Sequence, residues 1–403
     1  MKRVLYLSYD GMTDPLGQSQ VLPYLIGLTE QGYAFTLISF EKPDRYKKDK
    51  PHIQKLCNQH GIEWFPLHYT KKPPVFSTLY DLHRMKRLAL KAHQKHDFQL
   101  VHCRSYLSAI IGLALQRKGV KMLFDMRGFW ADERIEGGIW NLKNPVFKGI
   151  YNFFKRKEKQ FLQQADAVVS LTLEGKKEIL SWNMKGVNEK KISVIPCCVD
   201  LKLFNPDSIA VHDRERHKRN HQLENHFVVG YVGSIGTWYM LHEMLLVFKQ
   251  IRKQNPQALF LFVTKENRRA IWKAAEKLHL SRNSIQIVSA RHSEVPTYIS
   301  LFDCSIFFIR PTFSKMASSP TKQGELMAMG IPLICNAGVG DTDMIVRKYK
   351  SGMVLTDFSE AGLEQFNLDL TDFDKEKTQI GAKEFFGLKK GIDSYANIYA
   401  ELI

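Results

Sequence analysis

Twice along its 403 residues this chain repeats one rhythm: a short apolar run, a stretch with apolar residues at helical spacing, then another short apolar run. In the first series Val4–Tyr9, Ala34–Phe40, Leu100–Cys103, Met122–Phe124 and Ala167–Leu171 read as strands. Between them, Ser19–Gln31 carries Val21, Leu22, Leu25, Ile26 and Leu28 on one helical face and stops at Gly32, and Asp81–Lys95 reads as a basic helix. In the second series the strands are Val228–Val232, Ala258–Val263, Ile285–Val288, Ser305–Ile309 and Ile331–Cys335, with a helix at Met240–Ile251. Short, continuously apolar strands alternating with helices predict parallel sheets covered on both faces. The stretch Ile192–Pro206, bounded by Pro196 and Pro206, and the polar segment His212–His226 read as the linker between the series. The expected architecture is therefore α/β, with two Rossmann-like doubly wound domains. Ligands of such sheets bind at the carboxyl ends of the strands, so the expected site is a cleft between two facing domains.

Composition narrows the function classes. With 44% hydrophobic and 25% charged residues the chain is globular, and no apolar run reaches the length of a membrane span. The opening Met-Lys-Arg-Val-Leu-Tyr-Leu-Ser reads as a first strand rather than a signal peptide. The six cysteines lack metal-site spacing and read as reduced thiols, which fits a cytoplasmic protein. The formal charge of +17 is uneven: residues 1–205 carry 33 basic and 19 acidic residues, residues 206–403 carry 25 and 22. A basic first half suits an anionic membrane surface or a polyanion, or is a solvated face with no partner.

The most informative segment runs from Ser318 to Pro332. Ser319 suits an N-cap and Pro320 the first helical position; Gly330 suits the C′ position, and Pro332 prevents continuation. Such a helix of about three turns offers unpaired amides at its N-terminus for an anion. Lys322 in that first turn opposes the helix dipole, a conflict that a bound phosphate resolves. Thr321 and Glu325 share a face, and a carboxylate one turn beyond a phosphate site can accept hydrogen bonds from ribose hydroxyls. An ordinary capped helix with a surface Lys and Glu explains the same residues. The second segment, Gly230-Tyr231-Val232-Gly233-Ser234-Ile235-Gly236-Thr237-Trp238, reads as strand, glycine-containing turn and helix. By itself it describes a tight turn as well as a ligand loop.

Gly-Glu-Leu-Met-Ala-Met-Gly-Ile-Pro-Leu-Ile at 324–334 resembles the donor-nucleotide motif of the bacterial-type family 4 glycosyltransferases of the GT-B fold. Met1–Gln31, Gln164–Ser170 and Lys191–Phe204 resemble that family's opening strand, loop and helix, its last N-domain strand and its interdomain segment. The resemblance implies an acceptor-side domain over 1–204, a nucleotide-sugar domain over 205–385, and a C-terminal helix of about 386–403 able to pack back on the first. It implies metal-independent transfer of a sugar from a nucleotide-sugar donor, usually with retention, to a glycan or lipid-linked acceptor in cell-surface polysaccharide or glycoconjugate synthesis. Glu325 matches the glutamate that binds the donor ribose. Two departures stand out: Ala317 occupies the position of a second glutamate that contacts the donor sugar, and the turn after Gly233 lacks the family's Arg and Lys. Lys322 and Arg310 are the expected replacements for that charge.

Donor-binding residues on this reading are Gly17, Gly233, Ser234, Gly236, Thr237, Arg310, Ser318, Ser319, Thr321, Lys322 and Glu325. Gly17 reaches the donor diphosphate from the Asp10–Ser19 loop. Asp125 and Arg127 follow a buried strand where related enzymes place a histidine near the donor sugar; together with Lys322 they are the catalytic candidates, and a plain structural Asp125–Arg127 ion pair is the alternative. Trp130, Asp132 and Glu133 are the acceptor-side candidates. Cleaving the anomeric bond leaves negative charge on the diphosphate, which Lys322, the amides of Ser319–Lys322, and Arg127 or Arg310 would stabilise. A front-face retaining route needs no enzyme base; an inverting one does, with Asp125, Asp132 and Asp14 available. The pairs Asp341/Asp343 and Asp372/Asp374 suit loop solvation or helix capping better than a metal, and no cofactor is expected.

Two other functions compete: a nucleotide-sugar epimerase or hydrolase of the same fold, against which the Trp130–Trp140 loop argues, and a basic nucleic-acid binder, for which no recognition motif exists. Peripheral membrane contact is expected through Asn144–Leu162, where Phe147, Ile150, Tyr151 and Phe154 share a helical face beside Lys148, Lys155, Arg156, Lys157 and Lys159. The same face packing on the sheet is the alternative. Arg84, Lys86, Arg87, Lys91 and Lys95 form a separate basic set.

Overall fold

The structure is a computed structural model that describes residues 2–403. Along the chain run β1 (Lys2–Ser8), α1 (Pro15–Gln20), α2 (Leu22–Glu30), β2 (Tyr33–Glu41), α3 (Pro43–Gln59), β3 (Glu63–His68), α4 (Phe76–His96), β4 (Leu100–Arg104), α5 (Ser105–Gln116), β5 (Lys121–Asp125), α6 (Trp130–Glu136), α7 (Pro145–Gln164), β6 (Ala167–Ser170), α8 (Leu173–Ser181) and β7 (Ile192–Val194). There follow α9 (Val211–Asn220), β8 (Phe227–Val232), α10 (Leu241–Gln254), β9 (Ala258–Val263), α11 (Arg268–Lys277), β10 (Ile285–Val288), α12 (Val295–Ile299), β11 (Cys304–Phe307), α13 (Thr321–Ala328), β12 (Leu333–Asn336), α14 (Thr342–Lys348), β13 (Gly352–Leu355), α15 (Glu360–Glu364), α16 (Lys375–Gly381) and α17 (Leu388–Leu402).

Two compact units result. One takes the chain up to Pro196 together with Leu388–Ile403; the other is Cys197–Gly387. The first holds a seven-stranded sheet in the order β3-β2-β1-β4-β5-β6-β7, the second a six-stranded sheet in the order β10-β9-β8-β11-β12-β13. Every neighbouring pair is parallel. The strand order reverses between β1 and β4 in one sheet and between β8 and β11 in the other, and at such switch points the strand ends open a ligand crevice.

The elements that escape a reading of periodicity are the edges. β3 contains Pro66 and pairs only with β2, the position at which a sheet tolerates proline. β7 and β13 are edge strands of three and four residues. The helix α3 buries only Ile53 and Cys57, so it has almost no apolar stripe to announce it. The supposed linker is structured: Ile192–Val194 is the last strand of the first sheet, and α9 occupies most of the polar segment. Polar after its first residue, Val211, α9 is held by Arg214 Nε donating to the Ser300 carbonyl at 2.9 Å and by His217 and His221 packing on Tyr298.

The last helix, α17, closes over α2 within the first unit. A β-carbon on Gly27 would lie 2.3 Å from Ile392 Cδ1, so only glycine permits this approach. Tyr24 and Tyr395 meet edge to face, and the Tyr33 hydroxyl donates to the Ala396 carbonyl at 3.3 Å. All six cysteines are buried free thiols.

Candidate active site

In the second unit the two sequence segments singled out above converge at the switch point. β8 ends in Val232, and Gly233 turns the chain at φ +107°, a conformation that favours glycine. Lys322, 89 residues later in the first turn of α13, points back at this turn: a β-carbon on Gly233 would stand 3.4 Å from its Nζ. The lysine is buried. Its ammonium group donates to the Tyr231 hydroxyl at 2.9 Å and lies 4.1 and 3.8 Å from the ring centres of Tyr231 and Tyr239. The Tyr231 hydroxyl in turn donates to the Ser234 carbonyl, so β8, the turn and α13 form one hydrogen-bonded chain. Burial pushes the Lys322 amine well below the usual lysine range, against the attraction of Glu325. The Tyr239 phenol is pushed up to about 12, by burial first and then by the nearby Glu325 charge.

α13 itself begins one residue later than its sequence suggests. Pro320 is the capping residue and Thr321 the first helical one. Ser319 does not cap the helix; its Oγ accepts the Cys197 amide at 3.1 Å instead. Ser318 and Thr321 are half-buried beside it. The helix has eight residues and ends in a Schellman motif: Ile331 N–H reaches Leu326 O and Gly330 N–H reaches Met327 O, both at 3.0 Å, with Gly330 at φ +68°. Glu325 is largely buried, with His292 Nε2 3.7 Å from its Oε1. Arg310 is exposed just beyond β11, and its amide bonds the Trp238 carbonyl at 2.9 Å, tying it to the Gly233–Trp238 turn. Ser234 Oγ lies 2.9 Å from Glu266 and accepts the Gly236 amide at 3.3 Å; Gly236 and Thr237 are exposed. Lys315, overlooked in the sequence, is buried with its Nζ 3.7 Å over the Trp238 ring. Ala317 is buried, so the departure there is apolar.

In the first unit, Ser8, Arg104, Asp125 and Val169 share one register row at the carboxyl ends of β1, β4, β5 and β6. Asp125 is buried, 3.8 Å from Arg104 Nη1, 3.8 Å from Arg127 Nη1 and 3.5 Å from His102 Nε2. Burial alone would raise its pKa; Arg127, His102 and Arg104 together outweigh burial and hold the carboxyl below its usual value. His102, not singled out from the sequence, places a buried imidazole against Asp125. It arrives from β4, and its Nδ1 lies 2.7 Å from the Tyr399 hydroxyl on α17. Arg127 takes a left-handed conformation at φ +57°, the kind of local strain that clusters at functional sites.

Three of the residues named from the sequence in this unit sit in tight packing or ion pairs. Gly17 is buried, and a β-carbon there would come within 2.2 Å of the Gly11 carbonyl oxygen; its missing side chain serves the packing of α1 on its own loop. That loop is fastened by Glu41, which accepts the Met12 and Thr13 amides at 2.8 and 3.0 Å. Asp14 is engaged by Lys42 at 2.7 Å and by Arg45. Asp132, named both on the acceptor side and among the carboxylates for an inverting route, is buried with its oxygens engaged by Tyr151 Oη at 2.9 Å and Lys155 Nζ at 2.8 Å. Lys155 also meets the buried Glu158 at 2.5 Å. Trp130 is half-buried against Phe154 and Trp140, and Glu133 is half-buried beside it. The α7 face expected at a membrane is largely a packing face: Phe154 is in the core and Tyr151 bonds Asp132. In the second carboxylate pair, Asp374 caps α16 through the Lys377 amide at 2.9 Å.

Residues 21–203 match the profile of Glycosyltransferase Family 4, and residues 213–378 match that of Glycosyl transferases group 1. No curated protein matches the sequence. Solved structures match over the full chain. Sucrose-phosphate synthase from Thermosynechococcus elongatus gives a TM-score of 0.76 at 16% identity, covering 100% of this chain and 99% of that one. HepE from Anabaena, in complex with UDP and glucose, gives 0.71 at 13% identity, covering 100% of both. A glycosyltransferase from Rickettsia africae gives 0.68 at 18% identity, covering 100% and 98%. The two profiles fall on the two sheets described above, and the chain belongs to the family 4 glycosyltransferases of the GT-B fold.

Proposed function

We propose that this glycosyltransferase takes its sugar from a nucleotide-sugar donor bound by the second unit and passes it, with retention, to a glycan or lipid-linked acceptor in cell-surface polysaccharide or glycoconjugate synthesis. The observation that carries the donor reading is the convergence of Lys322, Glu325 and the Gly233 turn at the β8/β11 switch point. Lys322 stands beside the turn that lacks the family's own Arg and Lys, and so provides positive charge from α13 instead. On this reading the turn amides and Lys322 hold the diphosphate, Glu325 accepts the ribose hydroxyls, and Arg310, exposed at the same strand ends, adds charge. The similar HepE structure holds UDP and glucose, which supports a nucleotide donor.

Transfer breaks the anomeric bond and leaves charge on the diphosphate. Lys322 and the α13 amides are aimed where that charge develops. The leaving phosphate accepts the acceptor's proton, so no carboxylate base is needed, in keeping with an Asp132 already occupied by Lys155 and Tyr151. Asp125, Arg104, Arg127 and His102 form the first unit's charged site, with Arg127 as its catalytic candidate. The positive charge comes from side chains, so the reaction is proposed to need no metal. We place the enzyme in the cytoplasm, at the inner face of the membrane.

A thermal-shift panel of nucleotide sugars tests this reading. A true donor at about 100 times its dissociation constant stabilises the protein by about 2.7 kcal/mol. No shift with any nucleotide or nucleotide sugar would remove the donor site. Conversion of the donor at full rate without any acceptor would favour an epimerase or hydrolase.

A further inference from the structure

The helix α4 presents an unusual solvent face. Its buried side is Ser77, Asp81, Met85, Ala89 and Ala92. The opposite stripe begins with three large apolar side chains, Phe76, Leu79 and Tyr80, exposed by 71%, 58% and 57%. It continues with His83, Lys86, Arg87 and Lys91, all exposed. Exposed Lys71 and Lys72 precede the helix, followed by exposed Pro73 and Pro74. Between residues 71 and 95 the sole acid is Asp81. It is buried and occupied by the Thr70 amide at 3.0 Å and the Tyr9 hydroxyl at 3.2 Å. Arg84 meets Asp81 at 3.6 Å and Lys95 meets Glu63 at 3.9 Å, but among the described residues no carboxylate pairs with Lys86, Arg87 or Lys91, so this stretch of the solvent face carries cations and apolar bulk uncompensated. Three helix cations elsewhere in the chain, by contrast, meet a carboxylate: Lys155 pairs with Asp132, Lys177 with Glu174 and Lys389 with Asp393.

We infer that this face of α4 docks on an anionic phospholipid surface, with Phe76, Leu79 and Tyr80 entering the headgroup boundary and Lys71, Lys72, Lys86 and Arg87 lying on the headgroups. The charge alone would suit any polyanion. The apolar end decides between partners, because a nucleic-acid backbone in water gains nothing from Phe76 and Leu79, whereas a bilayer accommodates both halves of the stripe. Phe76 and Lys86 are separated by about 15 Å along the axis, short enough for a tilted helix to engage both. The inference deepens the proposed reading of a lipid-linked acceptor and rests on it for its biological sense. The observations that carry it are independent of the donor site.

Co-sedimentation of the full chain with phosphatidylglycerol/phosphatidylcholine vesicles and with pure phosphatidylcholine vesicles, at low and high salt, tests it. The wild type is expected to bind the anionic vesicles at low salt. Phe76→Ser/Leu79→Ser should weaken that binding at least tenfold. Lys86→Gln and Arg87→Gln should each weaken it roughly fivefold and flatten the salt dependence. Phe153→Ser on α7 should bind as the wild type does. Thermal shifts with nucleotide sugars, run on the same samples, should match in all variants, which separates failure here from failure of the donor reading. Equal recovery of wild type in the supernatant with both vesicles overturns the inference. So does undiminished binding by the Phe76/Leu79 double variant. Oligonucleotide binding that survives that double variant, without vesicle binding, would replace the membrane with a nucleic acid.

Discussion

Lys322 is held between opposing demands. Burial disfavours its ammonium form, while two tyrosine faces and a phenol oxygen accept it. Its depressed pKa means that the folded chain holds this proton less tightly than the unfolded chain does. The group thus subtracts stability at neutral pH, and the deficit fades as pH rises toward the ordinary lysine range. Lys322→Met is accordingly expected to melt no lower than the wild type at neutral pH, with the difference shrinking in alkaline buffer. Its donor affinity should fall by about 1.5–3 kcal/mol, the loss of a charge-assisted contact. Unchanged donor affinity in Lys322→Met would defeat the assignment. Glu325→Gln should lose donor affinity with unchanged melting, and a titration by fluorescence or calorimetry checks it.

At the scale of elements, α13 and α6 are built differently. α13 is fixed by its C-terminal turn, where Gly330 alone satisfies a left-handed backbone between the helix and β12. Gly330→Ala should cost about 1–2 kcal/mol, read from the urea midpoint. α6 is fixed instead by the carboxylate of Asp132 between Tyr151 and Lys155 of α7, with Glu158 behind them. Asp132→Ala leaves Lys155 beside Glu158 and removes the link to α6. It should lower the melting temperature by several degrees, equivalent to roughly 1–3 kcal/mol, while saturated turnover stays within tenfold of wild type. Intact stability with turnover lost by orders of magnitude would identify Asp132 as a base.

At the scale of the molecule, charge and topology divide the work. Both switch points carry cations: buried Lys322 in the second unit, and buried Arg104 with half-buried Arg127 in the first. With the charge of a leaving diphosphate met by side chains, full activity is expected in EDTA. Activity lost in EDTA and restored by Mn²⁺ or Mg²⁺ would show that these cations do not suffice. The excess of basic over acidic residues in the first half is not spread evenly over its surface. Asp14, Asp132 and Glu158 pair with some of its cations, whereas Lys86, Arg87 and Lys91 of α4 lie beside exposed apolar side chains with no carboxylate paired to them among the described residues.

The sequence alone determined what is local and periodic. Fully buried strands such as Ala258–Val263 announce themselves, and a Gly330-Ile331-Pro332 stop fixes the end of α13, because burial and backbone conformation leave a mark on consecutive residues. Edge strands such as β3 and polar helices such as α9 leave no such mark, since neither buries a full apolar set. Only the tertiary structure decided the partnerships. Tyr231 and Lys322 lie 91 residues apart, and His102 and Tyr399 lie 297 apart, so no spacing rule could pair them. It also decided the two basic helices. α4 and α7 carry the same kind of apolar and cationic pattern, but α7 turns Phe154 and Tyr151 onto α6, while α4 buries its small residues and leaves Phe76, Leu79 and Tyr80 to solvent. Periodicity states that a helix has two faces; which face finds a neighbour depends on what the rest of the chain brings against it.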